Sequence, residues 1–139
     1  LAAELLGFSQ AIVVNLFALP SHATREIAEL GAGPEGWMSA RTPLAAQIGS
    51  ADGLLLAYGA TEPTGSARAH FRRQVEWVTE RIEARGVAAW WVGDGPRHPS
   101  RWQRWTHVVH PGVPFSEALA QSLVHVPALP SGLPTRVPN

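Results

Sequence analysis

Two polar residues in this chain stand where their chemistry would count. Asn15 interrupts the run AIVVNLFAL (Ala11–Leu19), which is otherwise apolar. A carboxamide inside such a run brings both donor hydrogens and an acceptor oxygen that need partners. Each one left bare costs about 1–3 kcal/mol. Two readings follow: Asn15 fastens a neighbouring loop, or it presents a donor and an acceptor side by side to a ligand edge. His98 is the second residue, in Pro96-Arg97-His98-Pro99. Pro99 biases His98 towards extended backbone, so the direction of the imidazole is set in advance. An imidazole there could polarise a carbonyl or move a proton near neutral pH, or simply hold its own loop.

Around His98, Arg97, Arg101 and Arg104 interleave with Trp102 and Trp105. Cations that pair with phosphate beside rings that stack on bases are the mixture found at single-strand nucleic-acid contacts. The plainer alternative puts the tryptophans in a core and the arginines in solvent. His107 and His110 stand three apart in what reads as a strand, on opposite faces and without a nearby acid, so no metal site is expected. No cofactor is expected either, since no P-loop, GxGxxG or GxSxG segment occurs. With no cysteine, disulfides, thiolate nucleophiles and cysteine-bound zinc are excluded by count.

These residues need elements to hold them. Leu1–Leu6 reads as the end of a helix closed by Gly7. Ala11–Leu19 has the continuous apolar pattern of a strand covered on both faces, stopped by Pro20. Ser21–Leu30 is a short helix containing Thr24, and Glu35–Ile48 a second helix that Pro43 would kink or interrupt. Gly53–Tyr58 is the next strand. Ala67, Phe71, Val75, Val78 and Ile82 then form one apolar stripe on a helix of about five turns, closed by Gly86. Arg68, Arg72, Arg73, Glu76, Glu80 and Glu83 fill the opposite face, with Arg72 and Glu76 one turn apart. Val87–Val92 is a third strand, Trp105–Val109 a fourth, and Ser116–Val124 a last helix capped by Ser116. Four prolines after Val126 deny the tail 127–139 helix and sheet pairing.

Alternating strands and helices imply right-handed βαβ crossovers with parallel strands. Ligands of such sheets bind beyond the carboxyl ends of the strands. Asn15, Tyr58 and the loop Gly93–Arg104 would then share one rim. A length of 139 residues fits one α/β domain over 1–126. Hydrophobic residues make up 45% and the charges cancel, which excludes a disordered chain and a general nucleic-acid coat. All eleven basic residues are arginine. This matches either a GC-rich genome or selection for bidentate contacts to phosphate or carboxylate. The apolar runs fall far short of the ~20 residues that cross a bilayer, so the expectation is a cytoplasmic protein without a membrane partner. The chain starts at Leu1 rather than methionine, and an N-terminal truncation that removes a first strand is part of the expectation.

Four stretches in order carry a family resemblance: VVNLFAL at Val13–Leu19, GPEGW at Gly33–Trp37, AYG at Ala57–Gly59 and GPRHP at Gly95–Pro99. Across Phe8–Trp102 the chain resembles the bacterial domain of unknown function 1643. That family is in turn similar to the uracil-DNA glycosylase superfamily. The resemblance implies a three-layer α/β/α domain with a mainly parallel sheet of three to four strands. It implies that Asn15 reads the uracil edge and that His98, in His98-Pro99-Ser100, stabilises charge developing on the base. An amide meets the N3–H and O4 of uracil together, whereas cytosine reverses both partners. A flipped base needs stacking surfaces and phosphate clamps, for which Phe17, Tyr58, Trp102, Arg97, Ser100 and Arg101 are the candidates. The water-activating segment of that pattern belongs to an earlier strand and is not found here. The expectation is therefore a nucleobase or single-stranded nucleic-acid binder, hydrolysing an N-glycosidic bond if it is an enzyme. The alternatives are a non-catalytic binding or scaffolding domain in which Asn15 and His98 are structural, and an enzyme acting on some other small metabolite.

Overall fold

The apolar stripe from Ala67 to Ile82 does what its spacing demands, placing Ala67, Val78 and Ile82 in a core along one continuous helix. In the computed structural model, which describes residues 1–18, 24–59 and 61–126, the elements in chain order are α1 (Ala2–Leu5), α2 (Thr24–Leu30), α3 (Glu35–Ser50), β1 (Leu54–Leu55), α4 (Ser66–Arg85), β2 (Ala89–Val92), a 3-10 turn (Pro99–Arg101), α5 (Trp102–Val109), α6 (Phe115–Ser122) and β3 (Leu123–His125). The described residues are thus mixed α/β and mostly helical. They divide into two compact units: one of residues 1–13, 53–59 and 88–126, the other of residues 14–52 and 61–87.

The first unit holds the sheet, in the order β1-β2-β3. β1 and β2 run parallel, Leu54 opposite Ala89 and Leu55 opposite Trp90. β3 lies antiparallel to β2, with His125 opposite Trp90 and Val124 opposite Trp91. The sheet is therefore mixed rather than mainly parallel. The last helix ends at Ser122, so the chain from Leu123 turns straight into β3. Ala2, Val92, Trp102 and Leu119 form the buried centre, with Leu55, Ala57, Trp105, Phe115 and Leu123 packed around it. Gly53 has a packing role: a Cβ there would stand 2.5 Å from the Phe8 ring and 2.8 Å from the Trp90 ring.

The second unit packs α2 and α3 against α4. Trp37 anchors it, buried with its Nε1–H donating to the Gly31 carbonyl at 2.9 Å. Its ring centroid stands 4.8 Å from that of Phe17 and 6.3 Å from that of Phe71. Gln74 is wholly buried on α4, a position that the apolar stripe passes over. Its Nε2 donates to the carbonyls of Leu16 and Trp37 at 2.9 and 2.7 Å, and its Oε1 accepts from Nε of Arg41 at 3.0 Å. One amide thereby links the segment before α2 to α3 and α4. Arg85, in the last turn of α4, donates from Nη1 to the carbonyls of Ile48 and Ala51 at the end of α3, the acceptors a helix end leaves open.

Several expectations are corrected. Residues 11–18 of the expected first strand hold no strand, and Ile12 and Val13 are 60% and 84% exposed. Their pattern is that of a buried strand, but the hydrogen bonds of this segment go elsewhere: Leu16 O to Gln74, and Ala18 N–H to Gly36 O at 3.0 Å. Asn15 is exposed rather than buried in a sheet. Trp105–Val109 belongs to helix α5; Trp102 and Thr106, four apart, face inward, and this 3.6-residue period prevails over the β-branched pair Val108-Val109. His107 and His110 consequently do not lie on opposite faces of a strand. α3 runs on through Pro43, whose side chain is exposed. The last helix begins at Phe115 behind Pro114, which leaves Ser116 inside the first turn without a capping bond. Arg72 pairs with Glu62 at 2.9 Å instead of with Glu76. Leu19, Pro20, the stretch 21–23 and the proline-rich tail 127–139 lie outside the described residues. Among the described residues, no helix is long and apolar enough to cross a membrane.

Candidate ligand-binding loop

The parallel pair β1/β2 brings two of its carboxyl ends together in the first unit, as the crossover argument requires. Beyond β1 the chain reaches Gly59, whose φ of +95° suits a residue without a Cβ. Its N–H donates to the Pro96 carbonyl at 2.7 Å, and a Cβ placed on Gly59 would lie 3.8 Å from Cβ of His98. Beyond β2, Gly93 turns at a φ of +77° and donates to Ser122 O at 2.8 Å, while Val92 bridges back to Gly95 and Pro96. The stretches AYG and GPRHP therefore meet in space. Tyr58, just before Gly59, is half-buried, and burial raises its phenol pKa above the ordinary value of 10.0.

His98 has the extended backbone that Pro99 imposes, with φ −63° and ψ 141°. Its side chain turns back on its own loop: Nδ1 accepts the backbone N–H of Ser100 at 3.2 Å and stands 2.8 Å from Oγ of Ser100. Because the backbone N–H can only donate, Nδ1 bears the lone pair. In the neutral ring the proton then sits on Nε2. Nε2 has no hydrogen-bond partner among the described residues, and the side chain is exposed. The arrangement is a loop that holds one N–H donor outward.

The neighbours of His98 divide into supports and free groups. Trp102 is a support: it is buried, and its Nε1–H donates to the Arg97 carbonyl at 2.9 Å. Arg97 pairs with Asp94 at 3.0 Å and lies over the Trp105 ring, 4.9 Å from its centroid. Its charge is thus already engaged. Ser100 and Arg101 are exposed, as is Arg104, and neither arginine has a salt-bridge partner among the described residues. Asn15 and Phe17 belong to the second unit; the Asn15 side chain makes no hydrogen bond among the described residues, and Phe17 is half-buried against Trp37. Of the eight residues singled out from sequence, Tyr58, Arg97, His98, Ser100, Arg101 and Trp102 fall in the first unit.

Sequence reasoning missed Asp94 and the contact that Gly59 makes with Pro96. Gly59 was legible as part of AYG, and a glycine directly after a buried strand also permits close approach of another loop. Asp94 stands three residues before Arg97 in GDGPR, a spacing that suits a turn-borne ion pair. Comparison with known proteins finds no family model, no curated protein and no solved structure that matches this chain.

Proposed function

We propose that the Gly95–Trp102 loop binds a planar, carbonyl-bearing ligand of the nucleobase class, free or within a single-stranded nucleic acid. The carrying observation is the bond from Ser100 N–H to Nδ1 of His98, which leaves Nε2–H as an outward donor to a ring carbonyl. Exposed Arg101 and Arg104 supply charge for a neighbouring phosphate. Asn15 lies in the other unit, and the proposal rests on the His98 loop.

If the loop serves a reaction, N-glycosidic hydrolysis suits it. Charge builds up on the departing base, and a fixed donor at a carbonyl oxygen stabilises that charge more than the ground state. No residue of the chain is assigned to activating water. Kinship with domain of unknown function 1643 and the glycosylase superfamily, the three-layer α/β/α arrangement, and a cytoplasmic setting belong to the same proposal. The meeting of AYG with GPRHP through Gly59 and Pro96 supports it.

Fluorescence anisotropy with a uracil-containing single-stranded oligonucleotide tests the proposal. His98→Ala should weaken binding by about tenfold or more, as expected when a hydrogen bond to a developing or partial charge is lost. Equal binding by the wild type and His98→Ala sinks it. A second reading, a scaffolding domain, draws on how fully the loop is fastened from within by Ser100, Asp94 and Trp102. It requires a lowered Tm for His98→Ala together with no oligonucleotide binding by either protein.

A further inference from the structure

The second unit carries a cluster of cations that its fold does not consume. On α4, Arg73, Trp77 and Arg81 recur at intervals of four and so share one stripe. Arg41 reaches the same ring from α3: Cζ of Arg41 lies 4.9 Å from the Trp77 ring centroid, and Cζ of Arg81 4.7 Å. Two guanidinium groups thus crowd one indole. Neither has a carboxylate at salt-bridge distance among the described residues, and nor does Arg73. The ring quadrupole offsets part of the repulsion between them.

Arg41 is also held in place. Its Nε donates to Oε1 of Gln74 at 3.0 Å, and Gln74 is itself wholly buried and fixed through two backbone carbonyls. The bond uses Nε alone. The terminal nitrogens of Arg41 keep the flat, two-pronged donor edge that matches phosphate or carboxylate oxygens. Arg81 is exposed, so it can close on a bound anion from the other element. A fixed cation and an exposed one, 4.9 and 4.7 Å from the centroid of the same indole, can offer their donor edges to one tetrahedral dianion.

We infer that Arg41, Trp77 and Arg81 form an anion site in the second unit that takes the phosphate group of a small phosphorylated ligand. Every residue in it belongs to the second unit, whereas the His98 loop belongs to the first. Phosphate is favoured over a monocarboxylate because its double charge answers two guanidinium groups at once.

The test is a titration of the full chain with inorganic phosphate, against sodium chloride at matched ionic strength. The readouts are the Trp77 indole N–H and the arginine Nε–H resonances, assigned by substitution. Saturable shifts at Trp77, Arg41 and Arg81 with phosphate, and not with chloride, are expected. Arg81→Gln, an exposed change that leaves the buried Gln74 network intact, should weaken the affinity by about tenfold or more, as loss of a charge-assisted pair does. Arg41→Lys, which keeps the charge but loses the two-pronged edge, should weaken it as well. Shifts that do not saturate, that chloride reproduces, or that persist undiminished in Arg81→Gln would overturn the assignment.

Discussion

Nδ1 of His98 accepts the backbone N–H of Ser100 at 3.2 Å, two residues along its own chain. The imidazole therefore acts inwardly as an acceptor and outwardly as a donor, an orientation produced by local geometry. Long-range proton–nitrogen correlation spectra of the neutral ring should show the proton on Nε2. Ser100→Ala should keep that tautomer, because the backbone N–H survives, while the ring becomes more mobile through loss of the Oγ contact at 2.8 Å. A neutral His98 protonated at Nδ1 contradicts both the tautomer and the donor role built on it.

Gln74 makes the second prediction. Its amide meets Leu16 O, Trp37 O and Arg41 Nε inside a fully closed environment. Gln74→Met keeps approximate volume but leaves two carbonyls without their donor. Each orphaned buried group costs about 1–3 kcal/mol, so the substitution should destabilise the chain by roughly 2–4 kcal/mol. Urea denaturation measures this, with an unchanged slope and a lower midpoint. A midpoint equal to that of the wild type means that the amide network adds nothing.

How much of this was legible in the sequence varies with the source of the signal. α4 was readable because one period of 3.6 fixes both its existence and its buried face, and Gly86 adopts the expected left-handed end at φ +72°. The parallel pairing of β1 with β2 followed from strand–helix–strand order. Ala11–Leu19 misled because an apolar run states only that partners are wanted. It does not say whether a ladder or a buried glutamine supplies them. Gln74 was hidden for the converse reason: a polar residue among charged neighbours looks solvated until the acceptors opposite it are known. The proline-flanked His98 was readable as extended, but its bond to Ser100 turns on a side-chain rotation that no spacing encodes.

Gly93 should tolerate no side chain. Its φ of +77° is a region in which a Cβ strains the backbone, and a Cβ would also approach the Trp105 ring to 2.6 Å. Gly93→Ala combines about 1–2 kcal/mol of backbone strain with overpacking of about 1–3 kcal/mol, giving roughly 2–5 kcal/mol in all. Because Trp105 also lies beneath Arg97, the loss should appear both in the denaturation midpoint and as a shifted Trp105 indole signal. A variant as stable as the wild type would show that neither the turn nor the ring is constrained there.

Tyr58 offers a test at alkaline pH, and as the sole tyrosine it can be followed without interference from another phenol. Burial disfavours the phenolate and raises the pKa above 10.0 in the folded chain. The unfolded phenol titrates near 10, so protons leave the unfolded state first, and the unfolded state gains relative stability as pH rises through that value. The contribution of a neutral Tyr58 is thus fully present below pH ~10 and is lost as pH climbs through the folded pKa. Tyrosinate absorbance should show a midpoint above that of the urea-unfolded chain. Tyr58→Phe, which cannot ionise, should lose less stability than the wild type over the same alkaline range. Coincident titrations of folded and unfolded chains, or equal alkaline losses in both proteins, would place the phenol in solvent.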